Sequence, residues 1–118
     1  GGHSDTAAGA KLAVIVVPLI RGRLPMIRDK VQTVITPGES IDVIVTERGV
    51  AINPKRTDLL EKLKDSNLPL YTIQELQQMS YDLVGKPKDI EVSQEDKDIV
   101  AVVEYRDGSI IDLVRKPL

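Results

Sequence analysis

The run Leu12-Ala-Val-Ile-Val-Val17, closed by Pro18, constrains the fold of this chain more than any other stretch. Six uninterrupted apolar residues, mostly β-branched, describe a strand covered on both faces, which is the habit of parallel sheets. The core has to be built the same way elsewhere. The chain has no Phe, no Trp and no Cys, and only three Tyr. Val, Ile and Leu therefore carry the packing, and the β-branched share favours sheet. At 118 residues the chain has room for one small domain.

Other segments follow from local chemistry. Lys30 to Ile35 alternates and predicts a strand. Thr36-Pro-Gly-Glu39 predicts a turn, and Ile41 to Thr46 predicts a second apolar strand. Val50-Ala-Ile52 is a short strand stopped by Asn53-Pro54. Arg21-Gly-Arg23 is a turn, and Pro25 to Asp29 continues as loop. Two helices come next. Arg56 to Asp65 puts Leu59, Leu60 and Leu63 on one face, with Thr57 as N-cap. Thr72 to Val84 opens on a Thr72/Glu75 capping box, with Tyr71 and Leu76 placed as a hydrophobic staple, and stops at Gly85. Lys86 to Lys97 is a polar excursion. Asp98 to Glu104 and Ser109 to Arg115 form a terminal β-hairpin, reversed at Arg106-Asp-Gly108. The expected fold class is α/β: an open mixed sheet flanked by helices, with a C-terminal β-hairpin.

Charge and composition exclude several classes of function. A net charge of −2 and the lack of aromatic platforms argue against nucleic-acid binding. Without cysteine there is no disulfide framework, thiolate nucleophile or zinc–thiolate site. The longest apolar run, Leu12 to Ile20, is too short to span a bilayer, and no signal-peptide pattern opens the chain. A cytoplasmic protein, free of metal and membrane, is the expectation.

The residues with chemical potential lie in three places. Gly1 to Gly9 is a glycine-rich loop placed before the apolar strand. Its glycines let backbone N–H groups approach an anionic or carbonyl oxygen, with Gly1, Gly2, His3 and Ser4 nearest. The same loop can equally be a tight connection, and His3, the only histidine, can be a surface residue or an acid–base group. Arg21, Arg23 and Arg28 follow a strand end, where open α/β sheets bind ligands, and guanidinium forks suit carboxylates. Solvated loop charge is the plainer alternative. Glu47 ends a strand beside Arg48, as a nucleophile or as a structural partner. A working loop at the very start of a chain is unusual, because termini fray. We expect residue 1 to be internal to a longer protein.

These motifs converge on one family. The opening Gly1-Gly-His-Ser-Asp-Thr-Ala-Ala-Gly-Ala-Lys-Leu-Ala-Val-Ile-Val-Val-Pro18, then Ile20-Arg-Gly-Arg23, Thr36-Pro-Gly-Glu39 and Asp42-Val-Ile-Val-Thr-Glu-Arg-Gly-Val-Ala-Ile-Asn-Pro54, resemble the C-terminal part of the citrate lyase α-subunit family. The tail from Val100 to Pro117, with Val103-Glu-Tyr-Arg-Asp-Gly108, is similar in the same way. A looser likeness extends to family I coenzyme-A transferases. The resemblance implies that residues 1–118 are the C-terminal part of a coenzyme-A transferase-like domain. It implies transfer of acyl groups between an acetyl-carrier-protein thioester and citrate, giving citryl-carrier protein and acetate. The implied partners are citrate, an acyl carrier protein subunit and a lyase β subunit. The segment itself would bind no cofactor, the CoA-derived thioester group being carried by the carrier protein.

In the transferases a nucleophilic glutamate precedes the glycine loop, so the resemblance places it upstream of Gly1 and leaves these residues inactive alone. It maps Gly1, Gly2, His3 and Ser4 onto a loop lining the active-site cleft and Glu47 onto supporting structure. Arg21 and Arg23 as citrate contacts rest on charge and position. A transferase or hydrolase acting on free coenzyme A, and a non-catalytic segment that docks other subunits, are the alternatives.

Overall fold

The computed structural model describes residues 2–118; the expectation for Gly1 lies outside the described residues. In chain order the elements are α1 (His3–Gly9), β1 (Val14–Val16), β2 (Ile20–Arg21), β3 (Leu24–Pro25), β4 (Val43–Val45), β5 (Val50–Ile52), α2 (Thr57–Leu63), β6 (Leu70–Tyr71), α3 (Ile73–Val84), β7 (Ile99–Glu104) and β8 (Ile110–Arg115). The apolar run supplies β1, which pairs in parallel with β4 in the register Val14↔Val43 to Val16↔Val45. β4 returns antiparallel into β5, and β5 pairs in parallel with β6. The result is a mixed sheet in the order β1-β4-β5-β6.

The β4–β5 reversal is organised by one hydroxyl. Thr46 Oγ1 accepts the N–H groups of Arg48 (3.2 Å) and Gly49 (3.1 Å) and donates to the Gly49 carbonyl (3.0 Å). Glycine is needed at 49 for room: a Cβ there would sit 2.9 Å from the Pro69 carbonyl oxygen and inside contact distance of the Tyr71 ring.

Alternation along the strands sorts the core onto two faces. Val43, Val50 and Ile52 point one way and pack with Val45, Leu70 and the α2 leucines Leu59 and Leu63. Ala51 points the other way and joins Leu19 and Leu76, with Ile20, Ile27, Ile73 and Met79 around them. Helices therefore flank both faces of the mixed sheet, in keeping with the expected class. α3 opens and closes as its sequence predicts. Thr72 Oγ1 accepts the Glu75 N–H (3.1 Å), while Glu75 Oε2 accepts the Thr72 N–H (2.7 Å). Gly85 stops the helix at φ 83°. β7 and β8 form the expected terminal hairpin, reversed at Asp107-Gly108 with Gly108 at φ 86°.

Several expectations are corrected. The Gly1–Gly9 stretch is not a loop over its described part but helix α1. Asp5 lies in its first turn and Ala7 and Ala8 are good helix formers, so local propensity outweighs the glycines at its ends. Thr57 is the first helical residue of α2 rather than its N-cap; Arg56 occupies the cap and gives no side-chain capping bond. Lys30 to Ile35 forms no strand, because the Val34 N–H is taken by the Asp112 carboxylate (2.8 Å) instead of a ladder. The Arg21–Arg23 turn joins the two-residue strands β2 and β3, with Gly22 at φ 63°. β6 is an element that the sequence pattern leaves unmarked. β1 is not covered on both faces: Val14 is 45% exposed and Val16 79% exposed.

Candidate functional site

α1 sits beside the start of the parallel pair β1/β4. Gly2 fills its N-cap position, and the Gly2 carbonyl accepts the Thr6 N–H (2.8 Å). His3 Nδ1 and Thr36 Oγ1 share a hydrogen bond of 2.7 Å, which fixes the imidazole on the segment leading to β4. His3 is exposed and Ser4 half-buried. Between α1 and the strands lies a hollow of about 400 Å³, bounded by His3, Thr6 and Ala7 above and by Val14, Ile15 and Ile41 below. Its lower wall is apolar and its rim carries a titratable ring and a hydroxyl. Such a hollow can accept an acyl chain or a thioester arm while offering polar groups at its mouth.

Arg21 and Arg23 lie elsewhere. They flank Gly22 on the β2–β3 turn, are exposed, and make no ion pair among the described residues. That turn follows the far end of β1. His3 contacts the approach to β4, whereas the turn comes after Leu19, whose N–H is held by Glu47 Oε2 (2.8 Å) beyond the end of β4. Ala13 to Val17 alone span roughly 13 Å of extended chain. The structure brings His3 and Ser4 together and sets Arg21 and Arg23 at the opposite end of the strand pair. Arg28 belongs to neither group. Its guanidinium donates to the Lys88 carbonyl (3.3 Å) and pairs with Asp89 (3.8 Å), tying residues 28 and 88–89 together. Glu47 is exposed, and its carboxylate serves a backbone bond that anchors the buried Leu19.

The strongest electrostatic knot is one that the sequence reading did not single out. Asp42, buried between β1 and β4, accepts the Ala13 N–H through Oδ2 (2.7 Å) and pairs with Arg56 Nη1 through Oδ1 (2.7 Å). Arg56 also grips Asp58 through two nitrogens (2.9 and 2.8 Å) and reaches the Lys11 carbonyl (3.4 Å). The Ala13 N–H and then the guanidinium hold the Asp42 carboxyl below its ordinary range. The same guanidinium holds Asp58 at about 2, and the two carboxylates raise Arg56 further. Every charge in the knot is satisfied within it, so it fixes β1 to α2 and leaves nothing free for chemistry. Asp42 and Arg56 are far apart in sequence, and the only local hint is the Arg56-x-Asp58 spacing.

A segment of mixed α/β structure, with a hollow at one end of a parallel strand pair, matches known proteins along nearly its whole length. A family model described as citrate lyase, alpha subunit (CitF), matches residues 1–117. The citrate lyase alpha chain of Klebsiella pneumoniae is 54% identical over 116 residues, covering 98% of this chain and 22% of that protein. The alpha chain of Haemophilus influenzae is 54% identical over 114 residues, covering 97% and 22%, and that of Escherichia coli 46% over 116 residues, covering 98% and 22%. A Streptococcus mutans crystal structure, described as the alpha subunit of citrate lyase in complex with citrate, superposes with a TM-score of 0.92 at 54% identity. That superposition covers 100% of this chain and 22% of the other. The chain belongs to the citrate lyase α-subunit family, and it spans about a fifth of the length of the relatives it matches.

Proposed function

We propose that this chain forms part of an acyltransferase that exchanges acyl groups between an acetyl-carrier-protein thioester and citrate. Citrate displaces acetate, and the products are a citryl-carrier-protein thioester and free acetate. The supporting observation is the agreement of fold and sequence, over the whole chain, with a relative whose crystal structure holds citrate. The transferase-like domain would extend beyond these 118 residues, and the carboxylate nucleophile would stand outside them. A carboxylate attacking the thioester carbonyl divides one difficult transfer into two easier ones.

Within that reading, the Gly2–His3–Ser4 end of α1 faces the thioester. His3, steadied by Thr36, offers a ring nitrogen where charge develops on the carbonyl oxygen or the leaving group. Arg21 and Arg23 contribute a carboxylate contact at the other end of β1, so the two sets would hold different ends of the bound substrates. Neither a metal nor a cofactor has a part assigned to this segment. The carrier protein and the cleaving subunit are the proposed macromolecular partners.

Steady-state kinetics of the full-length subunit tests the reading. Acetyl-carrier protein with citrate should turn over, and acetyl-CoA should be the poorer donor. His3→Ala should lower kcat by about 100-fold or more if the ring serves the transfer step. Arg21→Ala with Arg23→Ala should raise the KM for citrate with little change in kcat. An unchanged citrate dependence removes the arginines from the site. Equal or better use of acetyl-CoA removes the carrier protein as acyl donor.

A further inference from the structure

The outer edge of β1 is the feature that the chain leaves unexplained. In a parallel ladder, alternate residues direct both backbone groups to the same neighbour. The Ala13 carbonyl accepts from Val43 (3.2 Å), and the Val17 N–H donates to the Val45 carbonyl (3.0 Å). Ala13, Ile15 and Val17 therefore face β4, and the N–H and C=O groups of Val14 and Val16 face away from it. No strand among the described residues pairs with that side, since β1 ends the sheet. The side chains there are poorly covered too: Val14 has the hollow under α1 beside it, and Val16 is barer still. Val14 and Val16 lie on the same face as Val43 and Val45, where the α2 leucines Leu59 and Leu63 pack on Val43, Val50 and Ile52, yet Val14 stays 45% exposed. Val16 is 79% exposed. Natural edge strands are defended by charge, proline or cover, and Val14-Ile-Val16 carries none.

The surface as a whole shows the same deficit. Accessible area is 8425 Å², about 2000 Å² above the roughly 6300 Å² expected for a monomer of this mass. That excess is the scale of one side of a large obligate interface. The relatives supply a source for the cover, because this chain spans only 22% of their length.

We propose that β1 is an interior strand of a larger sheet in the full-length subunit. The polypeptide outside these 118 residues would add a strand along the Val14–Val16 edge and an apolar layer over the two valines. The added strand would meet the outward N–H and C=O groups of Val14 and Val16, and its own side chains on that face would be apolar.

Hydrogen–deuterium exchange on the full-length α subunit, purified alone, tests this. The Val14 and Val16 amides should exchange about 100-fold or more slowly than the Gly22 amide, at every protein concentration. Val16→Lys in the same subunit should lower Tm by several degrees, whereas Val100→Lys on β7 should not. Three results overturn the proposal. One is rapid exchange at both valines with an unchanged Tm for Val16→Lys. Another is protection lost on dilution, which assigns the edge to a second copy. The third is protection that appears only after the carrier or lyase subunit is added, which assigns it to that partner.

Discussion

Asp42 shows how much one side chain can join. Its two carboxylate oxygens hold the Ala13 N–H and the Arg56 guanidinium, so β1, β4 and α2 meet at a single buried group. Asp42→Ala strands a buried N–H and uncouples Arg56, and is expected to cost about 1–3 kcal/mol. Thermal melts of the full-length variant check it. The pH dependence has a definite sign. A carboxyl held below its ordinary 3.8 binds fewer protons folded than unfolded, so its stabilisation is present above that value. It is lost as pH falls through the depressed folded value. The Tm gap between the native protein and Asp42→Asn should therefore be constant from pH 7 to 5 and narrow only below about 4. A gap that widens on acidification would rule out this account of Asp42. Gly49 is the other position where a single residue decides. Gly49→Ala drives a methyl group against the Pro69 carbonyl and the Tyr71 ring, and should destabilise by about 1–3 kcal/mol, where an alanine at Gly38, in open space, should not clash.

Among the elements, α3 is the most self-sufficient. Its capping box satisfies donors at both Thr72 and Glu75, and its Leu76 is fully buried against Leu19 and Ala51. Thr72→Ala should cost about 0.5–2 kcal/mol, and Leu76→Ala about 2–5 kcal/mol. Paired denaturation curves should show the second loss clearly exceeding the first. If the order reverses, the cap and not the apolar stripe anchors α3. This helix and the terminal hairpin are legible in the sequence because their signals are local: Thr72-x-x-Glu75, Gly85 and Asp107-Gly108 act within a few residues. β6 and the true environment of β1 are not local facts. Leu70-Tyr71 becomes a strand only because Val50 offers a partner, and Lys30 to Ile35 fails to become one because Asp112 captures the Val34 N–H. α1 lacks an apolar stripe and has glycine at its N-cap and at its last residue, so its helix is invisible to periodicity. For the candidate site, the residue types at His3, Arg21 and Arg23 are legible. Their separation is not, because it depends on β1 and β4 running side by side in the same direction.

At the scale of the whole molecule, the chain is a slab of 52 × 37 × 19 Å with a radius of gyration of 16.2 Å, against about 13–14 Å for a self-contained domain of this length. Its core is split into two small clusters on opposite faces of a sheet whose longest strands have three residues. A groove of about 630 Å³, lined by Ile15, Ile44, Ala51, Tyr71 and Ile73, remains open beside α3. Few fully buried side chains must then offset the conformational entropy of 118 residues, and the balance depends on whatever covers the open faces. Produced by itself, the 118-residue chain is expected to bind a dye specific for exposed apolar surface and to unfold over a broad range at low temperature. The same residues within the full-length subunit should bind little dye and unfold in the cooperative transition of the whole. The comparison is decided by calorimetry and dye fluorescence at equal molar concentration. A sharp, dye-free transition of the short chain, at a temperature equal to that of the full subunit, would mean that its exposed valines and open groove cost it nothing.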